Sequence, residues 1–134
     1  MFKPALNSKL RTDKDLSAYR ALTERLGHCV KTETDFLYSA SYDGLKIRGY
    51  PSALIIIENS SDVGTVLSLA NAFDIPVTCR GAGSSLTGGA TPVKGGWVMD
   101  LSKLDDVAVD QVNMLAKCGP GGVVSKLRDD VLKL

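Results

Sequence analysis

The chain has 134 residues, 44% hydrophobic and 23% charged, and its 16 basic and 15 acidic side chains leave a formal net charge of +1. That length makes one domain able to bury roughly two-thirds of its unfolded surface, and the composition excludes wholesale disorder. The near-neutral balance leaves no electrostatic footprint for nucleic acid, and the longest aliphatic run, Ala53–Ile57, is far below the ~20 residues that cross a bilayer. Met1–Asn7 lacks the apolar core of a secretory signal. Cys29, Cys79 and Cys118 are an odd set without Cys-x-x-Cys spacing, which speaks against a disulfide framework or a zinc site. A reducing cytoplasm is the expected location.

Leu16, Tyr19, Leu22 and Leu26 share one helical stripe, predicting a surface helix over residues 15–26 with Gly27 as its stop. Residues 28–50 mix Thr, Asp and Ser with aromatics and read as loop or short extended pieces. Ala53–Ile57 has the pattern of a strand covered on both faces. Ser60 or Ser61 then offers a helix N-cap, and Val63, Val66, Leu67, Ala70 and Phe73 follow at helical spacing. Pro76–Cys79 is a second short strand, so residues 53–79 predict a βαβ unit with parallel strands. Trp97–Leu101 is the next strand, and Val107–Val109 pairs with Met114–Cys118 as a hairpin across Asp110–Asn113. Val123, Val124, Leu127 and Val131 suggest a last helix that runs to Leu134 without a stop signal. The fold class is α+β with an α/β-like N-terminal part: a βαβ unit with a small parallel sheet flanked by helices, then strands of a second mixed or antiparallel sheet. Residues 1–50 form an N-terminal helix and connecting segment, and residues 51–134 the more regular unit.

Nine of the thirteen glycines lie between Gly81 and Gly122, and this shift marks the chemistry-bearing segment, Arg80-Gly81-Ala82-Gly83-Ser84-Ser85-Leu86-Thr87-Gly88-Gly89-Ala90. It follows a strand whose carboxyl end, in a parallel sheet, is where α/β folds bind ligands. Successive N–H groups of such a loop form an anion-binding nest, Ser and Thr hydroxyls add donors, and Arg80 offers positive charge. A phosphate or pyrophosphate is the natural guest. Gly89 stands where a P-loop needs lysine, and Leu86 where a dinucleotide fingerprint needs its third glycine, so neither motif fits. A surface loop that binds nothing is the plain alternative.

Pro51-Ser52-Ala53-Leu54-Ile55-Ile56-Ile57, the helix after it, and the run from Ile75 through Arg80-Gly81-Ala82-Gly83-Ser84-Ser85-Leu86-Thr87-Gly88-Gly89-Ala90-Thr91-Pro92 resemble the flavin-binding domain of the vanillyl-alcohol oxidase / p-cresol methylhydroxylase family. Gly95–Leu104 and Cys118-Gly119-Pro120-Gly121 extend the resemblance, which runs from about Tyr42 to the C-terminus and is nearest to FAD-linked glycolate oxidase subunits and D-lactate dehydrogenases. It implies an incomplete two-subdomain FAD-binding fold, with the FAD pyrophosphate on Gly81, Ala82, Gly83, Ser84 and Ser85 beside Arg80, and with Gly88 and Gly89 close by. Gly119, Pro120 and Gly121 would form a second turn near the cofactor. Ser84 stands where some relatives attach the flavin to a histidine, which implies a non-covalent flavin.

The resemblance also implies the N-terminal fragment of an oxidoreductase of 2-hydroxy acids such as glycolate or D-lactate. The family's flavin domain continues further and a catalytic substrate domain follows it, so the chain alone is expected to be inactive. The remainder of the same enzyme, or a second copy meeting an exposed apolar face, is the expected protein partner. The alternatives are a non-enzymatic remnant or assembly module without flavin affinity, and a phosphate- or mononucleotide-binding domain. Asp43 matches a position often acidic in the family and equally suits a turn beside Gly44. Trp97 reads as core, Cys79 and Cys118 as inert small apolar residues, His28 as surface or packing, and Asp105-Asp106 and Asp129-Asp130 as solvated charges. No catalytic or metal-ligating constellation is expected.

Overall fold

A computed structural model describes residues 12–133. The readings of Met1–Asn7 and of Leu134 lie outside these residues. The first helix, α1 (Asp13–Leu26), starts two residues earlier than hydrophobic spacing alone suggests, because Thr12 and Asp15 form a reciprocal capping box. The Thr12 hydroxyl accepts the Asp15 N–H at 3.2 Å, and the Asp15 carboxylate accepts the Thr12 N–H at 2.9 Å. The stripe that faces the core is Ala18, Leu22 and Leu26, while Leu16 is exposed. Gly27 does not terminate the helix through a left-handed cap. With φ −54° and ψ −34° it leads the chain into a 3-10 turn over Gly27–Cys29.

Residues 28–50 include a short extended piece, as expected, but also a helix where loop or extended chain was expected. They contain a two-residue strand, β1 (Val30–Lys31), and a helix, α2 (Thr34–Ala40). Seven residues make barely two turns, too short for an apolar period to stand out, and Glu33 at the N-cap makes no side-chain cap bond.

The remaining strands are β2 (Ala53–Ile56), β3 (Val77–Arg80), β4 (Trp97–Asp100), β5 (Val107–Asp110) and β6 (Leu115–Cys118). Helix α3 (Ser60–Ala72) joins β2 to β3, and α4 (Val124–Val131) follows the hairpin. The N-cap of α3 is Asn59, not Ser60 or Ser61, and its inward residues are Val66, Leu69 and Ala70. Leu67, expected inward, is exposed.

The main sheet has the order β1-β2-β4-β3, with β2, β4 and β3 parallel and β1 antiparallel on β2. The βαβ strands are thus parallel but not adjacent. β4 lies between them, so that Trp97 stands opposite both Ala53 and Val77. Alternation along β2 and β4 divides the core in two. Ala53, Ile55, Ile57, Trp97 and Met99 pack against α1 and α3, while Leu54 and Val98 pack on the other face with Ala40 of α2. The helix hidden in the supposed loop therefore supplies the second cover that the apolar run of β2 requires.

β5 and β6 form the expected antiparallel hairpin, from Val107 opposite Cys118 to Asp110 opposite Leu115. The Asp110 carboxylate closes its turn by accepting the Asn113 N–H at 3.0 Å and the Asn113 side-chain amide at 2.7 Å. Every residue of β6 is exposed, and among the described residues α4 buries none. Cys79 and Cys118 are accordingly exposed rather than packed, the first on the edge strand β3 and the second on β6, whereas Cys29 is buried. Trp97 is buried in the core as expected, and His28, Asp105, Asp106 and Asp129 are exposed. No described helix is long and apolar enough to cross a membrane.

Candidate functional site

The parallel strands end together at Ile56, Arg80 and Asp100, and the glycine-rich loop leaves β3 at that edge. Leu101 N–H donates to the Arg80 carbonyl at 2.8 Å, the last bond of the parallel ladder before the chains diverge. In the gap lies a cleft of about 220 Å³, bounded by Ser39 and Ala40 at the end of α2, by Arg80, Gly81 and Ala82, and by Asp100 and Ser102. The Asp100 carboxylate is held back by the Ser102 N–H, which donates to it at 2.8 Å.

The loop is shaped by glycines in the left-handed region, Gly83 at φ +68° and Gly88 at φ +79°. Among the described residues, the main-chain N–H groups of Gly81, Ala82, Gly83, Ser84, Ser85 and Leu86 donate to no protein acceptor. Thr87 N–H donates to Ser85 Oγ, and the chain is re-engaged at Ala90 and Thr91. Six consecutive uncommitted donors at the carboxyl edge of a parallel sheet are suited to an anion with several oxygens. These residues are exposed or half-buried.

The second glycine segment meets the first. A Cβ on Gly81 would lie 3.0 Å from the Pro120 carbonyl oxygen, and Gly119 and Gly121 are pressed against the carbonyls of Leu104 and Ser102 so closely that a Cβ would overlap them. Gly119 N–H donates to Asp106 O at 2.8 Å and Gly121 N–H to Leu104 O at 2.9 Å. Gly81 and Gly119–Gly121 are thereby neighbours, with Arg80 and Gly83–Ser85 on the same loop.

Arg80 is more constrained than its sequence position suggests. Its Nη1 donates to the carbonyls of Ser39 at 3.1 Å and Tyr42 at 3.2 Å, and Gly83 sits so close over the guanidinium that a Cβ there would overlap Nη2. The far end of the loop is held by Asp43. Its carboxylate, on a residue only 3% exposed, accepts the Leu45 N–H at 3.0 Å and the Ala90 N–H at 3.3 Å. Desolvation pushes the Asp43 carboxyl up, but hydrogen bonds from those two amides and from the Thr91 and Ser85 side chains outweigh it and hold it below the ordinary value. The buried Thr91 hydroxyl contributes to that field although it meets no partner at full hydrogen-bond geometry. The Asp43-Gly44 pair reads in sequence as a turn, and nothing in its spacing points to Ala90.

This arrangement has a pH consequence. The folded carboxyl of Asp43 binds its proton less tightly than the unfolded one, so its contribution to stability is complete above the ordinary pKa of 3.8 and is lost as pH falls through the folded value. The exposed carboxyls of Glu33 and Asp110, lowered chiefly by main-chain and side-chain hydrogen bonds respectively, act with the same sign. We expect the urea midpoint to drop on acidification below about pH 4, and the drop to be smaller in Asp43→Asn. An identical acid profile in the two proteins would contradict the assignment.

No group of three or more potential metal-ligating side chains occurs among the described residues. The donor set fits the diphosphate of a dinucleotide instead: a run of free amides, a Ser84 hydroxyl in the same loop, and glycine backbones that a ligand can approach. D-lactate dehydrogenase of Archaeoglobus fulgidus is 41% identical over 71 residues, 53% of this chain and 16% of that protein. Glycolate oxidase subunit GlcD of Bacillus subtilis is 29% identical over 83 residues, 60% of this chain and 18% of the subunit. The chain thus spans less than a fifth of either relative. The fold superimposes on p-cresol methylhydroxylase with a TM-score of 0.77 at 22% identity, covering 93% of this chain and 26% of that enzyme. It also superimposes on 4-ethylphenol oxidase from Gulosibacter chungangensis with a TM-score of 0.75 at 21% identity, covering 95% and 26%. Residues 51–132, which include the three parallel strands and both glycine segments, match the FAD binding domain, and the chain belongs to that family, whose cofactor is FAD.

Proposed function

We propose that this chain holds the pyrophosphate of a non-covalently bound FAD on the loop that follows β3, as part of an oxidoreductase acting on a 2-hydroxy acid such as glycolate or D-lactate. The observation that carries the reading is the run of six unengaged N–H groups from Gly81 to Leu86 at the carboxyl edge of the sheet. Gly81, Ala82, Gly83, Ser84 and Ser85 line the diphosphate, Gly88 and Gly89 allow the ligand close to the backbone, and Gly119, Pro120 and Gly121 form the second wall. Arg80 adds positive charge from beneath the loop while its Nη1 stays on the Ser39 and Tyr42 carbonyls. Ser84, whose side chain cannot form the covalent link that a histidine there would make, keeps the cofactor exchangeable.

When bound, FAD supplies a hydride acceptor, and the redox chemistry is the cofactor's. The contribution of these residues is a preorganised set of donors that binds and orients the cofactor. No residue described here is assigned to take a proton from a substrate, and the chain by itself is expected to bind FAD without turnover. The substrate class rests on the named relatives. In this reading residues 51–134 are the N-terminal part of the FAD-binding domain, preceded by the helix and connecting segment of residues 1–50. A cytoplasmic setting goes with the unpaired cysteines. At the exposed apolar side chains of Met114, Leu115, Val124 and Leu132 we place contact with further polypeptide of the same enzyme.

Titrating the purified chain with FAD while following flavin fluorescence, with AMP as competitor, tests the assignment. The expected result is saturable binding that AMP displaces, because AMP shares the adenosine and one phosphate of the cofactor. Lack of saturation, or binding that AMP leaves untouched, would overturn it.

A further inference from the structure

The two ends of the glycine loop are held by one short segment, Ser39–Gly44. At the start of the loop, Arg80 Nη1 donates to the Ser39 and Tyr42 carbonyls at 3.1 and 3.2 Å. At its end, the Ala90 N–H donates to the Asp43 carboxylate at 3.3 Å. Between these points Gly44 backs onto the loop, where an added Cβ would stand 2.9 Å from Ser85 O and 3.1 Å from Ser84 O. The next residues continue the contact. Gly49 N–H donates to Ser41 O, Tyr50 N–H donates to Pro92 O at 3.1 Å, and Gly49 has no room for a Cβ against the Pro92 carbonyl.

We infer that Asp43 is a positioning residue for the anion-binding loop: its buried carboxylate and the Arg80 guanidinium form a two-point clamp that sets the curvature of residues 81–89 before any ligand arrives. This rests on the reading of that loop as the pyrophosphate site. A loop with six uncommitted amides and two left-handed glycines is entropically costly to order, and its internal bonds are few. Preorganisation must come from the ends. A carboxylate is the suitable group at Asp43, since it is acceptor-only and receives two amides from different parts of the chain, Leu45 beside it and Ala90 across the loop. Asparagine at the same place retains one acceptor oxygen for the nearby Leu45 amide and presents an NH₂ that repels the Ala90 N–H.

Amide NMR of ligand-free wild type and Asp43→Asn, combined with FAD titration of both, tests the clamp. In wild type the Leu45 and Ala90 amide protons are expected downfield, as bonds to a carboxylate make them. In Asp43→Asn the Ala90 signal moves upfield and the Gly81–Gly89 resonances shift or broaden. Leu54 and Val98 in the sheet keep their exchange protection, showing that the domain is folded. FAD affinity falls by about tenfold or more, the effect of losing a charge-assisted bond that orders a binding loop. Gly44→Ala, which removes no charge and presses on the Ser84 and Ser85 carbonyls, is expected to disturb the same resonances. It decides the matter if Asp43→Asn does not fold. Unchanged loop resonances in the folded variants, or wild-type FAD affinity in Asp43→Asn, would overturn the clamp. If wild type itself binds no FAD, the pyrophosphate assignment falls, and the resonances alone decide whether Asp43 positions the loop.

Discussion

Replacing Gly83 by alanine is expected to weaken FAD binding by about a hundredfold while leaving the sheet folded. Two effects act together. Gly83 has φ +68°, a conformation that costs an L-residue roughly 1–2 kcal/mol. The new methyl would also overlap the Arg80 guanidinium, so Arg80 must withdraw from the Ser39 and Tyr42 carbonyls or the loop must move. Hydrogen bonds to charged groups contribute about 1.5–3 kcal/mol each, and each 1.4 kcal/mol is a factor of ten in affinity. Gly83→Asp adds a negative charge beside the diphosphate and is expected to weaken binding further. Fluorescence titration of FAD against the wild type and both variants is the measurement. Equal affinities in all three would remove the loop from the cofactor site.

The largest loss of stability is expected from Trp97→Ala. Trp97 is 3% exposed and stands at the amino end of the central strand β4, opposite Ala53 on one side and Val77 on the other. Emptying such a site costs about 3–5 kcal/mol, a large share of the 5–15 kcal/mol typical of a domain, so chemical denaturation followed by circular dichroism should show a much lower midpoint. Trp97→Phe keeps most of the buried ring and should cost roughly half as much. Because β4 runs from Trp97 towards Asp100, the tryptophan lies at the end of the sheet opposite the cleft. Folded Trp97→Phe should therefore bind FAD as the wild type does. A selective loss of FAD affinity in that variant would instead place the ring at the ligand.

Local signals were strongest where one interaction dominates. The β-branched run of β2, the apolar spacing of α3 and the turn chemistry at Asp110–Asn113 each act within a few residues, and each element formed where its pattern lay. The glycine-rich loop was legible for the same reason, since its position after a strand and its Ser and Thr content are local facts. Where two local readings competed, packing chose. Ala18 replaced Leu16 on the buried face of α1, and Leu69 replaced Leu67 on that of α3, because the helix axis is set by its neighbours rather than by hydrophobicity alone.

The sequence alone determined the presence of the parallel strands, their crossover helix, the hairpin and a glycine-rich loop after β3, because each depends on periodicity, turn preference or composition within a short window. Strand order did not follow from it. β4 enters between β2 and β3 because its Trp97-Val98-Met99 run is buried on both faces and needs partners on both edges, a requirement met only when distant segments meet. Helix α2 was equally invisible, as Ala40 acquires meaning only against Leu54 and Val98 on the outer face of the sheet. The grip of Asp43 and Arg80 on the two ends of the loop belongs to the same class. It joins residues about 40 to 50 positions apart through main-chain amides and carbonyls, which every residue carries and no sequence pattern marks.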